Sequence, residues 1–138
     1  MNIKEFLFTV FYSGYSPVAP GTAGTLVAMA LYIAENIIFA GCDPDLLNIV
    51  NLAFFVAMVY PAIKLGDYAE KFYSSKDPQT VVIDELIGYW VSILFVPFSL
   101  TNALLAFILF RIFDIIKPFP ARSLQSLSGG LGILIDDI

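Results

Sequence analysis

Histidine is absent from this 138-residue chain, and Cys42 is its only cysteine. A lone cysteine excludes an intramolecular disulfide framework and a cysteine-based metal site. Without histidine, catalysis through a phosphohistidine intermediate is excluded as well. What remains for chemistry is mainly a small set of carboxylates and basic side chains.

Charge is also scarce, since only 14% of the residues are Asp, Glu, Lys or Arg and the formal net charge is −5. The chain has no basic run, which argues against a nucleic-acid partner and against a polybasic tail that binds lipid surfaces. Hydrophobic residues make up 59% of the sequence, and the mean hydropathy is +0.83. This composition is typical of an integral membrane protein, and the length suits one compact domain over residues 1–138.

Two long apolar runs, residues 26–41 and 46–63, predict helices that span a membrane. The turn between them, residues 41–45, carries no basic residue, whereas the polar segment 64–85 contains three lysines. By the positive-inside rule, this segment and Lys4 lie in the cytoplasm.

A third uncharged stretch, residues 86–110, allows two interpretations. It could be one kinked span, or a re-entrant hairpin of two shorter helices that turns at residues 97–102, with Ser99 or Thr101 capping the second helix. The stretch is flanked by Asp84-Glu85 on one side and by Arg111 and Asp114 on the other. Only a hairpin brings both charged flanks to the cytoplasmic face, and for this reason the flanks favour the hairpin. The predicted fold is therefore an all-α, small helical bundle with two spanning helices plus a re-entrant helical hairpin. Its oligomeric state is left open, because the small residues of the helices could pack within one chain or between two.

Arg111, Asp114 and Lys117 interrupt an apolar sequence at intervals of three residues. On a helix they share one face, with the carboxylate between two cations. Such charges are costly in apolar surroundings unless they are paired or coordinate something. This stretch alone fits a structural ion pair as well as it fits a functional site.

Two further acidic pairs adjoin apolar sequence, at Asp84-Glu85 and at Asp136-Asp137. Adjacent carboxylates repel each other and desolvate badly unless positive charge lies beside them, and a divalent metal supplies it most simply. The competing interpretations are an acidic pair favoured by a helix N-terminus and a solvated terminal pair.

A segment rich in glycine, proline and hydroxyl side chains, residues 13–25, leads into the first apolar run. Thr22 or Thr25 could cap the following helix, and the backbone N–H groups around Gly21 and Gly24 could face an anion such as phosphate. Taken alone, the segment is better explained by a simple entry from loop to helix.

Four blocks of this sequence resemble the signature blocks of bacterial phosphatidylglycerophosphatase A, in the same order. They are residues 19–25, 77–88, 110–120, and 129–132 followed by Asp136-Asp137. The resemblance implies hydrolysis of the phosphate monoester of phosphatidylglycerophosphate to phosphatidylglycerol, with Mg²⁺, at the cytoplasmic membrane of a bacterium. The family normally continues past the acidic pair into a further apolar helix, which is expected to be missing here because the chain ends at Ile138.

The residues fit that chemistry. A phosphatase loop with a nucleophilic cysteine is excluded, because Asn48 rather than arginine stands six positions after Cys42. Carboxylates around a hard cation favour Mg²⁺ over Zn²⁺. The metal ligands and a general base are therefore expected among Asp84, Glu85, Asp114, Asp136 and Asp137.

The phosphate itself is expected to be bound by cations and backbone groups. Arg111 and Lys117 would hold its oxygens and offset charge that develops during transfer, assisted by Gly21, Thr22 and Gly24. The catalytic set is then Asp84, Glu85, Arg111, Asp114 and Lys117, with phosphatidylglycerophosphate and membrane lipid as partners. Two non-enzymatic alternatives stay open, namely a transporter or ion-pathway component and a structural membrane subunit.

Overall fold

The structure is a computed structural model, and it describes residues 2–117, 129–135 and 138. These residues form helices and connecting turns, with no strand among them. The elements in chain order are α1 (Ile3–Phe8), a short 3₁₀ helix (Ser13–Tyr15), α2 (Pro20–Ile38), α3 (Pro44–Tyr73), α4 (Ile83–Ile93), α5 (Leu100–Ile116) and α6 (Gly130–Ile135). The all-α prediction is confirmed.

Two helices, α2 and α3, are long and apolar enough to cross a membrane. Their 19 and 30 residues correspond to about 28 and 45 Å at 1.5 Å per residue. In the most apolar 18-residue stretch of each helix, only 22% of α2 and 11% of α3 is buried inside the protein, so most of this apolar surface faces outward. Both predicted spanning helices are therefore present.

The boundaries of these helices differ from the prediction in two places. Helix α2 begins at Pro20 after Ala19, which has a left-handed φ of 48° and no capping side chain, so neither Thr22 nor Thr25 is its cap. Helix α3 continues ten residues past Ile63 to Tyr73 and therefore includes the first part of the segment predicted to be a polar loop. Pro61 lies inside this helix.

Helices α4 and α5 pair as a helical hairpin with its turn near Phe98. Ser99 is the N-cap of α5, and its hydroxyl accepts a hydrogen bond of 3.0 Å from the backbone N–H of Asn102. The Tyr89 hydroxyl donates to the Ala103 carbonyl at 3.1 Å and ties the two helices together. The structure thus confirms a hairpin within the chain, and its re-entrant placement in a membrane stays a prediction.

Helix α4 is the centre of the bundle and packs against α2, α3, α5 and α6. Eight of its 11 residues are buried, and they cover all sides of the helix: Ile83, Glu85, Leu86, Ile87, Gly88, Tyr89, Trp90 and Ile93. One polar contact crosses this core, where the Trp90 indole N–H donates to the Asn51 side-chain oxygen at 2.9 Å. Since both groups are buried, this bond satisfies polar atoms that would otherwise weaken the core.

Helix α6 lies against the second half of α3, where the two backbones meet. The Asp67 carboxylate accepts a hydrogen bond of 2.8 Å from the Gly130 N–H. A Cβ at Gly66 would lie 2.7 Å from the Gly130 Cα, so a side chain at this point would push the helices apart. The contact fixes the start of α6 on α3.

Candidate active site

The charged side chains predicted from the sequence meet where α4 begins and α5 ends. Arg111 forms ion pairs with Glu85 and with Asp114, the latter at 3.1 Å. Lys117 lies 3.7 Å from the other oxygen of Asp114. The structure pairs Arg111, Asp114 and Lys117 as predicted, although Lys117 is the C-cap of α5, with a left-handed φ of 44°, and not a residue of the helix itself. The hairpin adds Glu85 as a partner from α4.

This cluster is shielded from solvent. The exposed fractions of the Arg111, Asp114 and Glu85 side chains are 14%, 10% and 9%. Burial and then the neighbouring Asp114 raise the pKa of Glu85, against the opposing effect of Arg111. Carboxylates and cations held together in such surroundings interact more strongly than they would at the surface.

The first turn of α2 forms the side of the site nearest to this cluster. A Cβ at Gly21 would lie 2.1 Å from a Glu85 carboxylate oxygen and 3.1 Å from an Arg111 nitrogen, so only glycine allows this approach. One turn later, the buried Thr25 hydroxyl bonds to the Gly21 carbonyl at 2.9 Å and to Glu85 at 3.2 Å. The α2 backbone is therefore packed directly against the ion pairs.

A cavity of about 260 Å³ opens onto this cluster. Its lining combines the ends of three helices with the segment before α4: Ala19, Pro20, Gly21, Asp77, Gln79, Val81, Val82, Asp84, Glu85, Arg111, Asp114 and Lys117. Six of these residues were predicted as site residues from the sequence, namely Gly21, Asp84, Glu85, Arg111, Asp114 and Lys117.

Other predicted residues lie elsewhere or outside the described part of the chain. A Cβ at Gly24 would meet Val82 at 2.7 Å, and neither Gly24 nor Thr22 lines the cavity. Asp136 and Asp137 fall outside the described residues. The phosphate contacts predicted for Thr22 and Gly24, and the metal contacts predicted for the terminal pair, stay predictions.

Sequence reasoning missed Thr25, Asp77 and Gln79 as residues of the site. Thr25 was considered only as a helix cap, and its contact with Glu85 bridges 60 positions of sequence, which no local spacing reveals. Asp77 and Gln79 belong to the block of residues 77–88, but exposed polar residues before a helix resemble any solvated loop.

The oxygen donors of the cavity are of the kind that Mg²⁺ prefers. Asp84, Glu85 and Asp114 all line it, and carboxylates are hard ligands. Within residues 2–117, 129–135 and 138, however, no three acidic side chains are grouped closely enough to be recognised as a metal centre. The donor chemistry therefore fits magnesium, and the ligand set is not defined by the described residues alone.

Comparison with known proteins shows that the sequence of this chain is similar to that of a family of phosphatases. A family model described as phosphatidylglycerophosphatase A matches residues 6–138. A Bacteroides thetaiotaomicron protein named "Putative phosphatidylinositol-3-phosphatase" is 37% identical over 94% of this chain and 81% of its own length.

Two relatives carry the family's own name. The phosphatidylglycerophosphatase A of Escherichia coli is 32% identical over 99% of this chain and 76% of its own length. That of Haemophilus influenzae is 33% identical over 100% of this chain and 82% of its own length. No solved structure matches the chain. With a family match over nearly its whole length and two relatives of the same name, this apolar helical chain belongs to the phosphatidylglycerophosphatase A family.

Proposed function

We propose that this protein hydrolyses the phosphate monoester of phosphatidylglycerophosphate to give phosphatidylglycerol, in a Mg²⁺-dependent step of phospholipid biosynthesis. The reaction would take place at the cytoplasmic face of a bacterial cytoplasmic membrane. The observation that carries the proposal is the shielded cluster of Arg111, Asp114, Glu85 and Lys117, which opens into one cavity at the end of a bundle with two membrane-length helices.

The cations of the cluster are suited to hold the substrate phosphate. Arg111 is fixed by Glu85 and Asp114, and its Nε is buried without a hydrogen-bond partner among the described residues. That N–H and the ammonium of Lys117 can bond phosphate oxygens and stabilise charge that builds up during transfer. Because Gly21 has no side chain, the α2 backbone can lie close to Glu85 and Arg111.

The carboxylates of the cavity are suited to hold a cation and to move a proton. Asp84, Glu85 and Asp114 would hold Mg²⁺, with Asp136 and Asp137 as further predicted ligands. When bound, the metal polarises the phosphoryl group and lowers the pKa of a bound water. One carboxylate not engaged as a ligand accepts the proton of the attacking water. The phosphorus–oxygen bond to glycerol then breaks, and the glycerol oxygen takes up a proton as phosphatidylglycerol leaves.

The test is phosphate release from phosphatidylglycerophosphate in detergent micelles, first with Mg²⁺ and then with excess chelator. We expect metal-dependent release that Asp84→Asn abolishes while the melting temperature stays within a few degrees of the parent. Asp45→Asn is the matched control, because Asp45 is exposed at the start of α3 and outside the cavity. Near-normal turnover by Asp84→Asn, or full turnover in chelator, would contradict the metal-binding part of the proposal.

Phosphatidylinositol 3-phosphate is a second candidate substrate, because it is the substrate in the name of the 37% identical relative. Both lipids present a phosphate monoester on an alcohol that carries further hydroxyl groups, so the same charged cluster could serve either. Measuring kcat/KM for the two lipids side by side distinguishes them, and we expect the higher value for phosphatidylglycerophosphate. Release from neither lipid, matching an empty-vector preparation, would instead support a non-enzymatic membrane role.

A further inference from the structure

The cavity of the site has two different parts. Glu85, Arg111 and Asp114 form a shielded, charged part, whereas Asp77 and Gln79 line the same cavity and are exposed. The mechanism proposed above uses the charged part for the phosphate and leaves Asp77 and Gln79 without a role. A ligand whose phosphate lies against Arg111 would extend its other groups toward the open part of the cavity.

The segment that carries Asp77 and Gln79 is fixed at several points. The Asp77 N–H donates to a Glu70 carboxylate oxygen at 3.2 Å, and the Val81 N–H donates to the carbonyl of the buried Pro78 at 2.8 Å. The Val82 N–H donates to the Phe8 carbonyl at 2.9 Å. These bonds anchor residues 77–82 to α3 and to the end of α1, so the two polar side chains start from a defined backbone.

Their chemistry suits hydroxyl groups better than a second phosphate. The Gln79 amide offers both donors and an acceptor, and the Asp77 carboxylate accepts hydrogen bonds but repels another anion. A hydroxyl can donate to either side chain and can also accept from Gln79. The alcohol side of a lipid phosphate monoester, when it bears a free hydroxyl, therefore matches this pair.

We propose that Asp77 and Gln79 form a subsite for the hydroxyl-bearing headgroup of the substrate, which is glycerol or another polyol. The subsite would make the enzyme discriminate such lipids from a lipid phosphate monoester that lacks a headgroup hydroxyl. This inference rests on the proposed lipid phosphatase function, and it assigns specificity to residues outside the charged cluster.

The test compares phosphatidylglycerophosphate with an analogue in which hydrogen replaces the free hydroxyl of the headgroup glycerol. A neutral hydrogen bond is worth about 0.5–1.5 kcal/mol, which corresponds to about twofold to tenfold in kcat/KM. We expect the unaltered enzyme to prefer the hydroxylated lipid by such a factor. Gln79→Leu should lower kcat/KM for that lipid towards the value of the analogue, because Asp77 remains as a partner, and should leave the analogue unchanged. Asp77→Asn, which keeps an acceptor, should reduce the preference less.

Ser75→Ala is the control, because Ser75 is exposed in the same connection and does not line the cavity. Equal turnover of the two lipids by the unaltered enzyme would overturn the subsite, and this comparison does not depend on how any variant folds. An unchanged preference in Gln79→Leu, or an equal loss on both lipids, would also overturn it. Absence of turnover on both lipids by the unaltered enzyme would instead contradict the phosphatase function itself.

Discussion

The balance of charge within the cluster determines how each of its residues affects stability. Among the described residues, the cavity is lined by four carboxylates and two cations: Asp77, Asp84, Glu85, Asp114, Arg111 and Lys117. Removing a carboxylate therefore brings the charges nearer to balance, whereas removing a cation leaves buried carboxylates facing one another. Substitutions of similar size are expected to have opposite effects on the free energy of unfolding.

Glu85→Gln should abolish activity and leave the protein as stable as before, or more stable. Because its pKa is raised in the folded state, ionised Glu85 weakens stability as the pH rises through that folded-state pKa, and a neutral glutamine removes this effect. The substituted amide would keep an acceptor for Thr25, and Arg111 would keep Asp114. In chelator, the melting temperature of the variant should therefore exceed that of the parent. The difference should grow as the pH rises above the usual pKa of glutamate.

The contrasting variant is Arg111→Gln, which leaves the carboxylates without their shared partner. Breaking a buried ion pair from one side typically costs about 3–5 kcal/mol, so we expect this variant to melt well below the parent as well as to lose activity. A large loss of stability in Glu85→Gln, similar to that in Arg111→Gln, would contradict the charge-balance argument.

Local spacing predicted some of these contacts and not others. The interval of three residues predicted that Arg111, Asp114 and Lys117 would meet, and the structure pairs them, with Lys117 at the C-cap of α5. The contact between Arg111 and Glu85 depended on a hairpin that the sequence favoured but could not establish. The role of Thr25 depends on how α2 packs against α4, and helical periodicity within α2 carries no information about that partner.

At the scale of the helices, charge was a poor guide to where α3 ends. Residues 64–73 contain four charged side chains, Lys64, Asp67, Glu70 and Lys71, which suggested a loop, yet they continue the helix to Tyr73. Contacts with α1 and α6 stabilise this part of α3, and neither contact is visible in the local sequence. Tertiary packing therefore extended a helix that composition alone would have ended near Ile63.

The close contact between α3 and α6 gives a prediction at this scale. A Cβ at Gly130 would lie 1.9 Å from the backbone carbonyl oxygen of Ile63, and a backbone atom cannot move aside as a flexible side chain can. Gly130→Ala should therefore lower the free energy of unfolding by about 1–3 kcal/mol, as overpacked cores do. Thermal melting in detergent measures the change.

Gly41→Ala is the matched control, because a Cβ at Gly41 would meet nothing within 4 Å. Its melting temperature should stay close to that of the parent. If the two variants melt alike, the backbones of α3 and α6 do not meet as the structure places them. Because α6 leads directly to residues 136–137, Gly130→Ala should also reduce activity if the terminal acidic pair contributes to the site.

The hairpin determines the chemistry at the scale of the whole molecule. A single kinked span over residues 86–110 would have placed Glu85 and Arg111 at opposite ends of the protein, and the sequence favoured the hairpin over this arrangement without establishing it. In the structure, α4 and α5 turn near Phe98, whose ring lies 5.6 Å from that of Tyr32 in α2. The end of α5 therefore lies beside the start of α4, and the charged side chains of the site meet at this end of the bundle.

The distribution of basic residues predicts which side of the membrane this end faces. No lysine or arginine occurs between Lys4 and Lys64, so the turn between α2 and α3 carries no positive charge, and the exposed Cys42 lies in it. By the positive-inside rule we expect this turn to lie outside and the site to face the cytoplasm. A membrane-impermeant maleimide should therefore label Cys42 in intact spheroplasts but not in sealed inside-out vesicles. Cys42→Ser combined with Ser75→Cys, at the other end of α3, should give the reverse pattern. Labelling of Cys42 from the cytoplasmic side alone would reverse the orientation, and labelling of both positions from one side would show that α3 does not cross the membrane.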